Sequence, residues 1–311
     1  MQDKSLGQKS LSPKSTIVKT TRRFALLFCA TALALAAPHI ARAQSSKQQG
    51  TQQNQSQSQQ NQTPQNQDQN QNQNQNVAPG QQQAPQQNAA TPEDTDYKAF
   101  YNLKPEDTDD QIKMGEAFVA KYPASKYDEA VYARMTQAYF AKSDYAKMYE
   151  DGDKALALNP DDVSVLVRLG WVTPHNSDPN DMDAERKLQK AEEELKHALD
   201  VLSTMPKPAN MTDDAFTKAK ADAADQAHDG LGLVYFREGK YDESVAELQK
   251  STNDSTPGAV KDPTDYYVMG VDLQKLKRNS DAADAYNKCA AMSGPLQARC
   301  KQSADQAKAA K

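Results

Sequence analysis

Residues 227–251 read AHDGLGLVYFREGKYDESVAELQKS. Leu231, Gly232 and Tyr235 fall at helical spacing, and Gly239-Lys240-Tyr241 breaks the run. A second helical run follows, with Ser244, Leu248 and Ser251 on one face. Two short amphipathic helices joined by a tight turn make a hairpin. A residue as small as Gly232, directly after Leu231, lets the two helices cross closely.

The same spacing recurs on both sides. Between Ala130 and Pro160 it is met by Tyr132, Met135, Tyr139, Ala155 and Pro160, with Asp144-Tyr145 at the turn. Here Thr136 stands for the glycine, Met148 for an alanine and Gly152 for an aromatic. Between Pro263 and Ala291 the matches are Tyr266, Met269, Gly270, Leu273, Ala282 and Tyr286, with Cys289 at the last alanine place. A fourth unit opens at Leu166, Leu169 and Gly170 and closes at Ala191, Leu195 and Ala198. Nine extra residues interrupt it, and the stretch Pro174 to Pro179 is expected to be a loop on one rim. Repetition at this period predicts stacked helical hairpins.

The stretch 227–251 resembles a tetratricopeptide repeat nearly end to end, departing at His228 and at two serines in alanine places. Residues 120–150, AKYPASKYDEAVYARMTQAYFAKSDYAKMYE, resemble bacterial envelope members of that family. The resemblance implies an all-α tetratricopeptide-like hairpin superhelix that binds a protein or peptide partner. In such repeats the first helix of each pair lines the concave face. The inward residues would be Ala133, Gln137, Phe140, Val167, Trp171, Asp229, Leu233, Phe236, Tyr267 and Val271. Each of these is equally open to a packing role. As a set they describe an aromatic, nearly neutral groove. The family's carboxylate-clamp subtype needs Lys, Asn and Arg at those places; this set lacks them, so a chaperone C-terminal tail is not the expected ligand.

The chain ahead of the repeats divides into two segments. Residues 1–43 hold a basic lead, the apolar run FALLFCATALALAA from Phe24 to Ala37, and Ala41-Arg42-Ala43. That order predicts a secretory signal cleaved after Ala43. Fourteen apolar residues are short for the ~30 Å hydrocarbon core, so a retained anchor is the lesser reading. The expected location is the periplasm, cell envelope or exterior, with membrane contact only indirect or through a retained signal. Residues 44–93 form the expected disordered linker; 29 of the 47 residues from Gln44 to Ala90 are Gln or Asn. Such a segment has little apolar surface to offset ordering entropy and serves as a tether; stacked amides would make it an assembly element instead. The helical repeat domain is expected over 94–311.

Charge narrows the partners. The chain carries net −5, and residues 1–43 contain seven of its 37 basic residues but one of its 42 acids, leaving −11 on the remainder. That balance disfavours nucleic acid as a ligand. Neither a catalytic signature nor a phosphate-binding glycine loop is present, and His175, His197 and His228 sit in three separate settings. No enzyme activity, metal or cofactor is expected. Two functional readings follow: an exported scaffold with a binding groove, or a self-assembling envelope protein joined through its end helices or the Gln/Asn tract. Cys289 and Cys300 are the only cysteines beyond residue 43. Ser293-Gly294-Pro295 would turn the chain between them, so a disulfide is expected. The alternative is a small core residue at 289 and a free thiol at 300.

Overall fold

The computed structural model describes residues 90–310, apart from Pro179 and residues 254–260. The signal segment and nearly all of the Gln/Asn tract lie outside the described residues. Within them are eleven helices and no strand: α1 (Pro92–Tyr101), α2 (Thr108–Lys121), α3 (Asp128–Ala141), α4 (Tyr145–Leu158), α5 (Val163–Asn176), α6 (Ala184–Thr204), α7 (Asp213–Glu238), α8 (Tyr241–Ser251), α9 (Pro263–Lys275), α10 (Asn279–Ala291) and α11 (Gln297–Ala309). The fold is the all-α, tetratricopeptide-like array of hairpins that the repeat spacing predicts. The pairs α3/α4, α5/α6, α7/α8 and α9/α10 are the four units, and α11 closes the stack against α10.

A single register explains the pairs. A Cβ on Gly232 would lie 2.5 Å from Leu248, and one on Gly270 would lie 2.5 Å from Tyr286, sixteen residues further on in both hairpins. Gly170 stands equally close to Leu195, the longer separation absorbing the insertion. In α3/α4 the sizes are exchanged: Thr136 holds the glycine place and Gly152, again sixteen residues on, the bulky place. Leu169 of the next hairpin fills the space over Gly152. The aromatic three residues after the glycine place bridges to the preceding element. Tyr139 donates to Glu116 at 2.7 Å and Tyr235 to Glu192 at 3.0 Å.

Three of the hairpin turns are also the same turn. Ser143, Gly239 and Lys277 adopt left-handed φ of 59°, 75° and 62°. In each, the next amide donates back to the helix: Asp144 to Tyr139, Lys240 to Tyr235 and Arg278 to Leu273. This is the helix-ending geometry that glycine tolerates best. Side-chain caps start the helices at Asp144, Asp162, Thr212 and Asp262.

Two expectations are corrected. The helical part opens at Pro92, not at 94, because Thr91 and Asp94 form a reciprocal cap around a proline that suits the first turn. Pro174, His175 and Asn176 belong to α5 and do not form a loop. Pro174 removes one backbone donor within the last turn of α5, where side chains bond the neighbouring carbonyls. Thr173 donates to the carbonyl of Leu169, His175 to that of Trp171 and Asn176 to that of Val172, at 2.9, 2.7 and 3.1 Å.

Candidate functional site

The first helices of successive units, α3, α5, α7 and α9, touch one another, whereas the second helices do not pack together in this way. The first-helix side is therefore the inner side of the array. Along it, Ala133, Gln137, Phe140, Trp171, Phe236, Tyr267 and Val271 are half-buried. Val167, Leu233 and Asp229 are buried, the first two inside apolar clusters of the core.

The structure joins the α3 and α5 members into one cluster. The Phe140 ring meets Trp171 edge-on, with centroids 6.1 Å apart, and Trp171 lies 4.0 Å from the His175 ring. Arg168, one turn before Trp171, lays its guanidinium 4.1 Å from the Phe140 ring centroid. Its Nε donates to Gln137 Oε1 at 3.0 Å. Burial alone pushes this guanidinium down to about 10, so it remains charged at neutral pH. Arg168 and His175 were missed in the sequence. The available signal was their place on α5, one turn before and one turn after Trp171. This cluster is aromatic and carries a positive charge.

Of the α7 and α9 members, Leu233, Phe236, Tyr267 and Val271 join one apolar cluster, and Asp229 enters a buried polar seam. Trp171 Nε1 donates to Asp229 Oδ2 at 2.5 Å. Asp265 faces Asp229, and its Oδ2 lies 2.9 Å from Ser251 Oγ. Burial pushes Asp229 up to about 6, and burial with the neighbouring Asp229 raises Asp265 well above the usual carboxylate range. One proton shared by the pair removes like-charge repulsion between two buried carboxyls. Further along, Ser244 Oγ lies 2.8 Å from the Gly232 carbonyl and 2.6 Å from Asp272 Oδ2. Burial pushes Asp272 up to about 7. The single Ser244 hydroxyl proton thus faces two acceptors, the Gly232 carbonyl and Asp272 Oδ2.

His175 is buried enough that its pKa falls, and its Nδ1 faces a carbonyl, which fixes the proton on Nδ1. Among the described residues, no group of three His, Cys, Asp or Glu side chains is placed to hold a metal. A separate cleft of about 460 Å³ lies where the ends of α5 and α7 meet the start of α6, lined by Ser177, Glu185, Arg237 and Lys240 among others. It contains none of the groove residues. At the far end of the array, the structure bonds Cys289 to Cys300 with a Cα separation of 5.8 Å.

No family model matches the chain, and no curated protein does. Among solved structures it is similar to TTC0263, a thermophilic TPR protein of Thermus thermophilus, with 15% identity and a TM-score of 0.40 over 70% of this chain and 99% of that one. It is also similar to the MamA RS-1 ArsTM double mutant, with 18% identity and a TM-score of 0.39 over 65% of this chain and 94% of that one.

Proposed function

We propose that this chain is an exported, non-enzymatic scaffold that holds a peptide or partner protein against the inner face of its hairpin array. One observation carries the reading: the aromatic row Phe140, Trp171, Phe236 and Tyr267 is half-buried along helices that are otherwise well packed. Aromatic residues on a rigid concave surface are the usual anchors of a protein interface. Export rests on the charged, apolar, small-residue order of residues 1–43. The Cys289–Cys300 bond supports it, because such bonds persist in oxidising compartments.

A photo-crosslinking amino acid tests the groove. Placed at Phe236 or Tyr267 in the producing cell, it should capture a discrete partner, whereas at Lys301, an exposed residue of α11, it should not. Equal capture from both faces would remove the groove from the reading. The intact mass of the exported protein tests cleavage after Ala43; a mass retaining residues 1–43 would refute it. Light scattering over a concentration series separates scaffold from self-assembly, since a scaffold stays monomeric without its partner.

A further inference from the structure

Within the groove, one charged group is held in place but left unanswered. Arg168 is half-buried on α5. Its Nε is used by Gln137 and its face by Phe140, and its terminal nitrogens have no hydrogen-bond or ion-pair partner among the described residues. Arg237 and Arg299 also lack a hydrogen bond or ion pair among the described residues, but both are exposed to solvent, whereas other arginines find partners. Arg134 donates to the carbonyls of Tyr101 and Leu103, and Arg278 pairs with Asp281. A guanidinium fixed on two sides has already lost most of its side-chain freedom, so its remaining donors are pre-organised.

We propose that Arg168 is the anchor for an acidic side chain of the partner, gripped by the free edge of the guanidinium while the neighbouring partner residue packs on Phe140 and Trp171. The inference rests on the groove reading above and deepens it. The chemistry selects a carboxylate. One guanidinium edge offers two parallel N–H donors, which match the two oxygens of a carboxylate and its single charge. A phosphate group carries nearly two charges and three oxygens, and no second cation stands beside Arg168 to answer them. The aromatic floor adds a demand for an apolar residue next to the acid. The motif sought is therefore an Asp or Glu with an aliphatic or aromatic neighbour in an extended segment.

Selection from a random twelve-residue peptide library displayed on phage, against the full exported chain, tests this. The wild-type protein should enrich peptides with an acid at one fixed position beside an apolar residue. Arg168→Gln should still enrich apolar peptides but lose the acid preference. For the best wild-type peptide, exchanging its acid for the amide should weaken binding about tenfold. The same exchange should have no effect on Arg168→Gln. The peptide exchange leaves the protein untouched, so a folding defect in the variant cannot imitate it. Peptides that Trp171→Ala weakens, but that show no acid preference on the wild type, would overturn the role of Arg168 and leave the groove standing. Absence of any enrichment would overturn both. A dimer that Arg168→Gln dissociates would overturn the proposal in favour of a second copy as the occupant.

Discussion

Trp171 and Asp229, 58 positions apart in the sequence, share a hydrogen bond of 2.5 Å that fastens α5 to α7. An indole N–H only donates, so Asp229 Oδ2 accepts and carries no proton. Ser251 lies against Asp265 Oδ2, and Oδ1 of each aspartate is buried without a hydrogen-bond partner.

This arrangement makes the chain's one tryptophan a reporter of the carboxyl pair. Trp171 emission should titrate with a midpoint near pH 6, where Asp229 is placed at about 6. Asp229→Asn keeps an acceptor for the indole and supplies its own donor to Asp265, so the titration should vanish while the fold persists. An emission curve unchanged by the substitution would show that the pair is not what Trp171 senses.

Stability should rise on acidification through the neutral range. Burial pushes Glu129 and Glu194, like Asp272, up to about 7. Each has a folded pKa above its unfolded one, so each contributes fully below the unfolded value and loses that contribution as pH climbs through the folded value. Thermal melts should give a higher Tm at about pH 5 than at about pH 8. A flat or opposite trend would mean these carboxyls are hydrated in solution. At still lower pH the trend should reverse. Asp94 and Asp96, held below the usual carboxylate range chiefly by Lys126 and Lys121 respectively, then become protonated.

The shared turn geometry gives a second test of stability. Ser143 and Lys277 hold the left-handed conformation that Gly239 holds without a Cβ. Ser143→Gly and Lys277→Gly should each stabilise by about 1 kcal/mol. Gly239→Ala should destabilise by a similar amount. Chemical denaturation reads all three, and a loss of stability in both glycine variants would contradict the turn assignment.

Reducing the Cys289–Cys300 bond, which closes a loop of sequence separation 11, should cost about 2–3 kcal/mol. Two reactive thiols in the unfolded, unreduced exported protein would show that the bond does not form.

The hairpins were legible because small and bulky residues recur at fixed offsets, as in Gly232 with Leu248 and Gly270 with Tyr286. The helix α1 was not. Its anchors are Asp94 and Asp96, which reach the hydroxyls of Tyr127 and Tyr122, and such distant polar partners leave no local periodicity. Pro174 misled because proline usually ends a helix, whereas here it stands inside the last turn of α5. The polar seam had a readable trace. Ser244 and Ser251 depart from alanine seven residues apart, and Asp265 and Asp272 are also seven apart on α9. Each serine meets one aspartate, so both departures have the same cause. Arg168 escaped notice because its importance lies in what it lacks, and an absent counter-ion cannot be read from a helix pattern.

The helix α7 spans 26 residues without a break. Its first half lies along α6, and its second half is the opening helix of the next hairpin. At 1.5 Å per residue it is a rod of about 39 Å. Under tension, a repeat array of separate hairpins yields one hairpin at a time. Here α7 runs back along α6 beyond the 205–212 connection, so one continuous helix packs against both the second and the third hairpin. A chain pulled from its ends should extend in steps from the flanks inward, and the central pair should give way last, in a single larger step.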